Sequence, residues 1–299
     1  MQGSHSRAPS AGDTAALDIE SCTTPISMEY REPIYTHEGN VTTIRKFAYH
    51  PPGVTKIIGR GGVCWIGLLD DSTVLNYPDI RGNLKEFHTE AKIFEALGSH
   101  PRIIGFRGLT EHGIILQRAA NGSLAEYVAS QPTISLDRRL HWCKQALEAV
   151  SFIHTKNVIH CDINPRNFLL DENLDLLLAD FQGVLKSPTG ETLLDGLARE
   201  STKAYLPRDG GSSVTSVKTD IFALGCTIYS LMTGHEVFPD LDHFEDEEEI
   251  ESRFRDGLFP TDSQPCFAIT EKCWNQQYLS ADEILHDLSL VGAVKSHVE

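Results

Sequence analysis

Apolar positions in the first half of the chain come in short runs cut by Gly and Asp. KIIGRGGVCWIGLL begins at Lys56, a polar break falls at Asp70-Asp71-Ser72, and TVLNYP follows. Runs of this length with turn residues between them predict antiparallel strands. The period then changes: Leu84, Phe87, Ala91 and Phe94 recur at helical spacing, and Gly98 supplies a helix stop. Two more strand-length runs, RIIGFRGL and GIILQRA, precede a half that reads as helical from NGSL onward, through LAEYVAS and LDRRLHWCKQALEAVSFIHTK. No fixed-period repeat is present, which excludes a solenoid or propeller. The pattern predicts an α+β chain, with a small antiparallel sheet carrying one main helix, followed by a larger helical part.

Composition narrows the class. At 299 residues, with 40% hydrophobic and 23% charged positions, the chain can bury a large core. Its 26 Lys and Arg against 42 Asp and Glu give a net charge of −16, which disfavours nucleic acid and anionic membranes and favours basic partners. Seven cysteines without a C-x-x-C pair suit a reducing compartment. No stretch has the apolar length of a membrane span or the character of a signal peptide. An intracellular protein, cytoplasmic or nuclear, is expected. The Ser-, Ala- and Gly-rich residues 1–26 read as a flexible leader, 27–49 as an N-terminal extension, 50–118 as the sheet-bearing part, 119–293 as the helical part and 294–299 as a tail. The 13 histidines show no ligand spacing such as H-E-x-x-H.

The chemistry is concentrated in His160-Cys161-Asp162-Ile163-Asn164-Pro165-Arg166-Asn167 and, after a short strand and turn, Ala179-Asp180-Phe181-Gln182-Gly183. These resemble the H-R-D-x-x-x-x-N and D-F-G elements of the eukaryotic protein kinase superfamily. The resemblance covers about residues 50 to 293 and is similar to compact kinase-like proteins of filamentous fungi. It implies a two-lobed fold with a small antiparallel N-lobe and a larger helical C-lobe. It also implies ATP with Mg²⁺, or Mn²⁺ in its place. By resemblance, Asp162 orients the substrate hydroxyl and takes its proton, and Asn167 and Asp180 are metal ligands. Asn164 stands where serine/threonine kinases carry a lysine, and Arg166 brings a cation near the transferred phosphate, as tyrosine kinases do. Cys161 replaces the arginine that pairs with a phosphorylated activation loop.

The nucleotide end departs further. Gly59, Gly61 and Gly62 match the glycine-rich hairpin, with Cys64 at the third glycine. Ile66, Val74 and Leu169 are expected to sandwich adenine, with Leu116 as gatekeeper and Gln117 and Ala119 in the hinge. Glu90 matches the helix glutamate, but the lysine it should meet is replaced by Asn76 in Thr73-Val74-Leu75-Asn76. A neutral amide brings neither reach nor charge. Arg60 and Lys92 are nearby cations that could substitute. Phe94, His160 and Phe181 are expected to stack between the lobes.

In Ala204-Tyr205-Leu206-Pro207-Arg208 the glutamate of A-P-E is missing, and Cys273-Trp274 is followed by no partner arginine. Loss of both members strands no buried charge. Asp220 matches the buried aspartate that anchors the catalytic loop. The acidic run from Asp240 to Glu251 is a candidate docking face for a protein substrate or partner. The expected function is slow ATP-dependent phosphorylation of protein Ser/Thr. A pseudokinase scaffold is the alternative, and a small-molecule phosphotransferase is a third reading that the TDIFALG helix and the full activation segment disfavour.

Overall fold

The computed structural model describes residues 34–38, 41–45, 49–62, 64–79, 84–131, 133–209 and 214–295. The expected leader lies outside them. The chain divides into two units, Met1–His50 and Pro51–Glu299. In the first, β1 (Ile34–Glu38) and β2 (Val41–Arg45) form an antiparallel hairpin with Ile34 opposite Arg45.

The second unit opens with β3 (Lys56–Arg60), β4 (Cys64–Leu68) and β5 (Thr73–Pro78), antiparallel as their alternating pattern predicts. Asp70 shapes the turn before β5 by accepting the backbone N–H groups of Ser72 and Thr73 at 2.7 and 2.8 Å. Helix α1 (Lys85–Leu97) buries Phe87, Ala91 and Phe94 and stops at Gly98, whose N–H donates to Phe94 O at 2.9 Å with φ 69°. Two further strands, β6 (Phe106–Leu109) and β7 (Ile114–Gln117), complete a five-stranded sheet in the order β3-β4-β5-β7-β6. Gly113 is obligatory there: with φ 154°, a Cβ on it would lie 2.1 Å from Asn76 O.

The helical part begins with α2 (Leu124–Ser130), started by a reciprocal capping box between Ser123 and Glu126, and α3 (Leu136–Thr155). Next come β8 (Val158–Ile159), the hairpin β9 (Phe168–Leu170) and β10 (Leu176–Leu178), and then β11 (Val184–Lys186) and β12 (Thr192–Asp195). Strand β11 pairs with both β12 and β8, giving the order β12-β11-β8. Helix α4 (Val217–Thr233) is buried on nearly every side, packed on α3 and on α6 (Phe267–Trp274); α5 (Glu247–Arg255) meets it through Phe254 against Phe222, and α7 (Ala281–Lys295) packs on α3 and α6. An all-round apolar helix marks the centre of a core. One continuous apolar cluster runs from Val74 and Phe94 through Trp142 and Phe168 to Phe222 and Trp274, so sheet and helices share a core. This is the two-lobed α+β architecture expected from the sequence.

Candidate functional site

The catalytic-loop residues sit between β8 and β9, held from beneath by α4. Asp220, buried in the first turn of α4, accepts the backbone N–H of His160 at 2.8 Å and of Cys161 at 3.0 Å, and lies 2.9 Å from His154 Nε2. Cys161 has φ 68°, a conformation that costs a non-glycine residue energy and persists where surrounding bonds over-determine it. Its side chain is buried, and burial pushes the thiol well above its ordinary value.

Asp162 is the hub. Its Oδ1 accepts Asn164 Nδ2 at 2.8 Å and Ser201 N–H at 3.2 Å, and its Oδ2 accepts Asn167 Nδ2 at 2.8 Å. Asn164 also receives the Arg166 N–H on Oδ1 at 2.9 Å, which fixes the turn. Asn167 O accepts Ala179 N–H at 2.9 Å, tying the residue before Asp180 to the loop. Asp162, Asn164, Asn167 and Asp180 are therefore brought to one place. Arg166 turns outward, with Nη1 3.3 Å from Glu236 Oε1 and Nη2 3.3 Å from Ser201 Oγ.

Asp180, at φ 64°, stays open to solvent in the cleft although protein surrounds it on most sides. That crowding pushes its carboxyl up, against the pull of His160, and the charge of Asp162 adds to the rise. Phe181 points inward. Its ring meets Phe94 edge-on at 5.0 Å and His160 at 5.2 Å, while Phe94 stacks on Phe106 at 5.2 Å. The expected three-residue stack is thus four residues long. Phe106 was not picked out because a single aromatic in a strand carries no signal of its partner. Gly183 allows the turn after Phe181, since a Cβ there would lie 2.1 Å from Ile159 O.

Register puts the cleft side of the sheet together. Ile66 lies opposite Asn76, Val74 opposite Leu116 and Cys64 opposite Pro78. Ile66, Val74, Leu116 and Leu169 join the same apolar cluster. Gln117 pairs with Gly105 through its N–H at 2.7 Å and its Oε1 at 3.3 Å, and Ala119 is half-buried beside it. Gly59 pairs with Ile66, Gly61 N–H closes the hairpin on Cys64 O at 2.8 Å, and Gly62 is exposed at the tip. The Cys64 thiol lies close over Gly61, where an added Cβ would be 2.5 Å from its Sγ. Burial pushes it up to about 12, and the charges of Asp180 and Glu90 add to this.

Asn76 and Glu90 are the anomaly. Both are buried, yet Asn76 Oδ1 and both Glu90 carboxyl oxygens lack a hydrogen-bond partner. Neither cation considered as a substitute fills the gap: the Arg60 guanidinium stacks on Trp65 at 4.8 Å, and Lys92 is exposed on α1. Burial, and next the Asp180 charge, push the Glu90 carboxyl up to about 8; the Phe181 N–H pulls it down slightly without reaching hydrogen-bond geometry. Buried polar oxygens left without a partner are costly and call for an explanation at this position.

The segment 200–208 carries contacts that motif reading missed. The Arg208 guanidinium grips the buried Glu200 carboxylate, with Nη1 3.0 Å from Oε2, and Leu206 N–H donates to the same oxygen at 3.3 Å. Among the described residues no cluster of three or more His, Cys, Asp or Glu is placed to hold a metal, and no helix is long and apolar enough to cross a membrane. A cavity lined by Lys272, Tyr278, His286 and Asp287 lies at α6 and α7 and contains none of these residues.

The family model described as "Protein kinase domain" matches residues 74–287. The serine/threonine-protein kinase PEPKR2 of Arabidopsis thaliana is 26% identical over 208 residues, 66% of this chain and 44% of that protein. The serine/threonine-protein kinase PrkC of Bacillus subtilis is 24% identical over 200 residues, 62% and 31% respectively. NUAK family SNF1-like kinase 1 of Mus musculus is 28% identical over 180 residues, 58% and 27%. The chain spans less than half the length of each of these relatives.

Proposed function

Because the chain belongs to the protein kinase family, we propose that it transfers the terminal phosphoryl group of ATP to serine or threonine of a protein substrate, and does so slowly. The observation that carries this reading is the Asp162 network with Asn167 beside the open Asp180 carboxylate. Two of the relatives are named serine/threonine-protein kinases, which supports the substrate class.

The residues fit a divalent ion and fit the nucleotide except at one position. ATP with Mg²⁺ supplies the phosphoryl group and the charge that steadies it in transfer. Asn167 and Asp180 would hold the ion through hard oxygen donors, which also suit Mn²⁺. Ile66, Val74, Leu116 and Leu169 would enclose the adenine by apolar burial, and the backbone of Gln117 and Ala119 would meet its edge. Gly59, Gly61 and Gly62 let the hairpin backbone approach the phosphates. Asp162, held by Asn164 and Asn167, would orient the incoming hydroxyl and accept its proton. Asn76 cannot supply the ammonium that would meet Glu90. If that group is worth one preorganised donor, its loss costs about 3 to 4 kcal/mol, roughly a hundred- to a thousandfold in rate.

The unpartnered oxygens of Asn76 and Glu90 favour a second reading, a pseudokinase that binds nucleotide or a protein partner without turnover. Radiolabelled ATP turnover with Mg²⁺ and with Mn²⁺, beside a nucleotide thermal-shift measurement, decides. Measurable transfer supports the kinase. A shift without transfer supports the nucleotide-binding scaffold, and neither a shift nor transfer leaves a partner-binding scaffold.

A further inference from the structure

In a chain of net charge −16, three basic side chains converge on one carboxylate beside the catalytic loop. Glu236 Oε1 lies 3.3 Å from Arg166 Nη1, and its Oε2 lies 2.7 Å from His243 Nε2 and 3.6 Å from Lys203 Nζ. We infer that Arg166, Lys203 and His243 form a binding site for an anionic side chain of the protein substrate, a carboxylate or a phosphorylated residue, which Glu236 fills in the free protein. This deepens the reading of Asp162 as a centre acting on a protein, and rests on it.

Exposure runs opposite to that of an ordinary surface ion pair. The Lys203 side chain is 8% exposed, whereas that of its partner Glu236 is 41% exposed. Lysines usually keep the ammonium in water, and burying one is costly unless it is closely paired. Here the cation is inside, the carboxylate is at the mouth, and the distance between them is long for such a pair. Arg166 and Lys203 bring two full positive charges to one carboxylate; Asp242 also feels the Lys203 and His243 charges, but a phosphate dianion or a second carboxylate seated between the three basic groups would pair with them more closely than Glu236 alone. Partial burial pushes the Glu236 carboxyl up, but the His243 hydrogen bond and the Arg166 and Lys203 charges outweigh it and hold it below its ordinary value. It remains an anion and so marks the group the site accepts.

Placement ties the site to the chemistry. Arg166 reaches Ser201 Oγ at 3.3 Å, and Ser201 N–H donates to Asp162 Oδ1 at 3.2 Å. Ser201, Lys203 and Glu236 also border a small cavity with Ile163, Asn164 and Pro165. An anion held here would belong to a residue near the one presented to Asp162. Although the overall charge favours a basic partner, the recognition at this spot is for the opposite sign.

The test uses the full chain and fluorescein-labelled Ala/Gly/Ser peptides with a central serine. One position within three residues of it carries phosphoserine, glutamate, alanine or lysine, and binding is read by anisotropy. The best phosphoserine or glutamate peptide is expected to bind about tenfold tighter than its alanine counterpart, as charge-assisted hydrogen bonds imply. A gain with phosphoserine alone identifies a phosphate site, a gain with both a general anion site, and either upholds the inference. Lys203→Met and His243→Gln should each erase the preference while leaving the alanine peptide unchanged, and Glu236→Gln should strengthen it by removing the competing carboxylate. Equal binding of alanine and anionic peptides at every position, or a preference that survives both Lys203→Met and His243→Gln, overturns the inference. A preference without ATP turnover fails the kinase reading and leaves the anion site standing; turnover on a neutral peptide with no preference does the reverse.

Discussion

Arg208 and Glu200 form a forked ion pair inside one short stretch of the activation segment, with Nη1 3.0 Å from Oε2 and the second prong closed on Oε1. Arg208 also donates to Leu206 O at 2.6 Å, and its guanidinium lies over the Tyr205 ring at 5.0 Å. The family's distant glutamate–arginine bridge has been lost at both ends. The replacement is local, so residues 200–208 are tied to themselves. No charge is stranded, but for a different reason than the sequence implied: Arg208 has a new partner.

Breaking that pair from one side leaves a buried charge alone. Arg208→Met is expected to cost about 3 to 5 kcal/mol, and Glu200→Gln/Arg208→Met to cost less than the sum of its single changes. Urea denaturation of the four proteins in a double-mutant cycle measures the coupling. Additive losses would show that the pair holds nothing together.

The Glu90 carboxyl gives stability a pH dependence of definite sign. Its ordinary value is 4.5 and its folded value about 8, so between them the folded protein holds a proton that the unfolded chain has released. Stability therefore falls as pH rises from about 4.5 to about 8, by an amount on the order of a few kcal/mol. Glu90→Gln should flatten this slope and raise Tm at pH 8, read from melting curves across that range. A Glu90→Gln protein that melts lower at pH 8 would mean that the buried carboxylate is paired after all.

On the proposed reading, Asn76→Lys supplies the ammonium that Glu90 would meet. We expect it to tighten ATP binding and raise phosphoryl transfer about a hundredfold, recovering part of one preorganised donor, while Asn76→Ala changes little. Asp180→Ala on the Asn76→Lys background should abolish the gain by removing a carboxylate proposed to hold the metal ion. Isothermal titration and radiolabel transfer read the two effects separately. A folded but inert Asn76→Lys protein that binds ATP no better would refute the account of this position.

Asp220→Ala removes the acceptor of two backbone N–H groups and the contact with His154. Leaving buried donors unmet costs about 1 to 3 kcal/mol each, so the variant should lose at least about that much by urea denaturation. Any transfer activity should fall as the Cys161 backbone relaxes from its positive φ. A variant as stable as the parent would mean that water satisfies those groups.

Much of this protein was legible in one dimension because its signals are local. The period change at Leu84 marks α1, Gly98 ends it, and the runs on either side of Asp70 are strands, since side-chain alternation and turn chemistry act over a few residues. The spacing of Asp162, Asn167 and Asp180 was legible for the same reason: one short loop and one hairpin, β9–β10, set their separation. Asn76 and Glu90 stood out in the sequence by their match to neighbouring motif positions, and the structure leaves buried oxygens of both without a hydrogen-bond partner. What only the tertiary structure decided are pairings between residues with no periodic relation. Phe106 completes the aromatic stack, Glu200 takes Arg208, and Glu236 gathers Arg166, Lys203 and His243 from three separate stretches. A charged side chain has the same letter whether it faces water or a buried partner. Burial and direction settle which it does, and both arise only when sheet, loop and helix pack around the core.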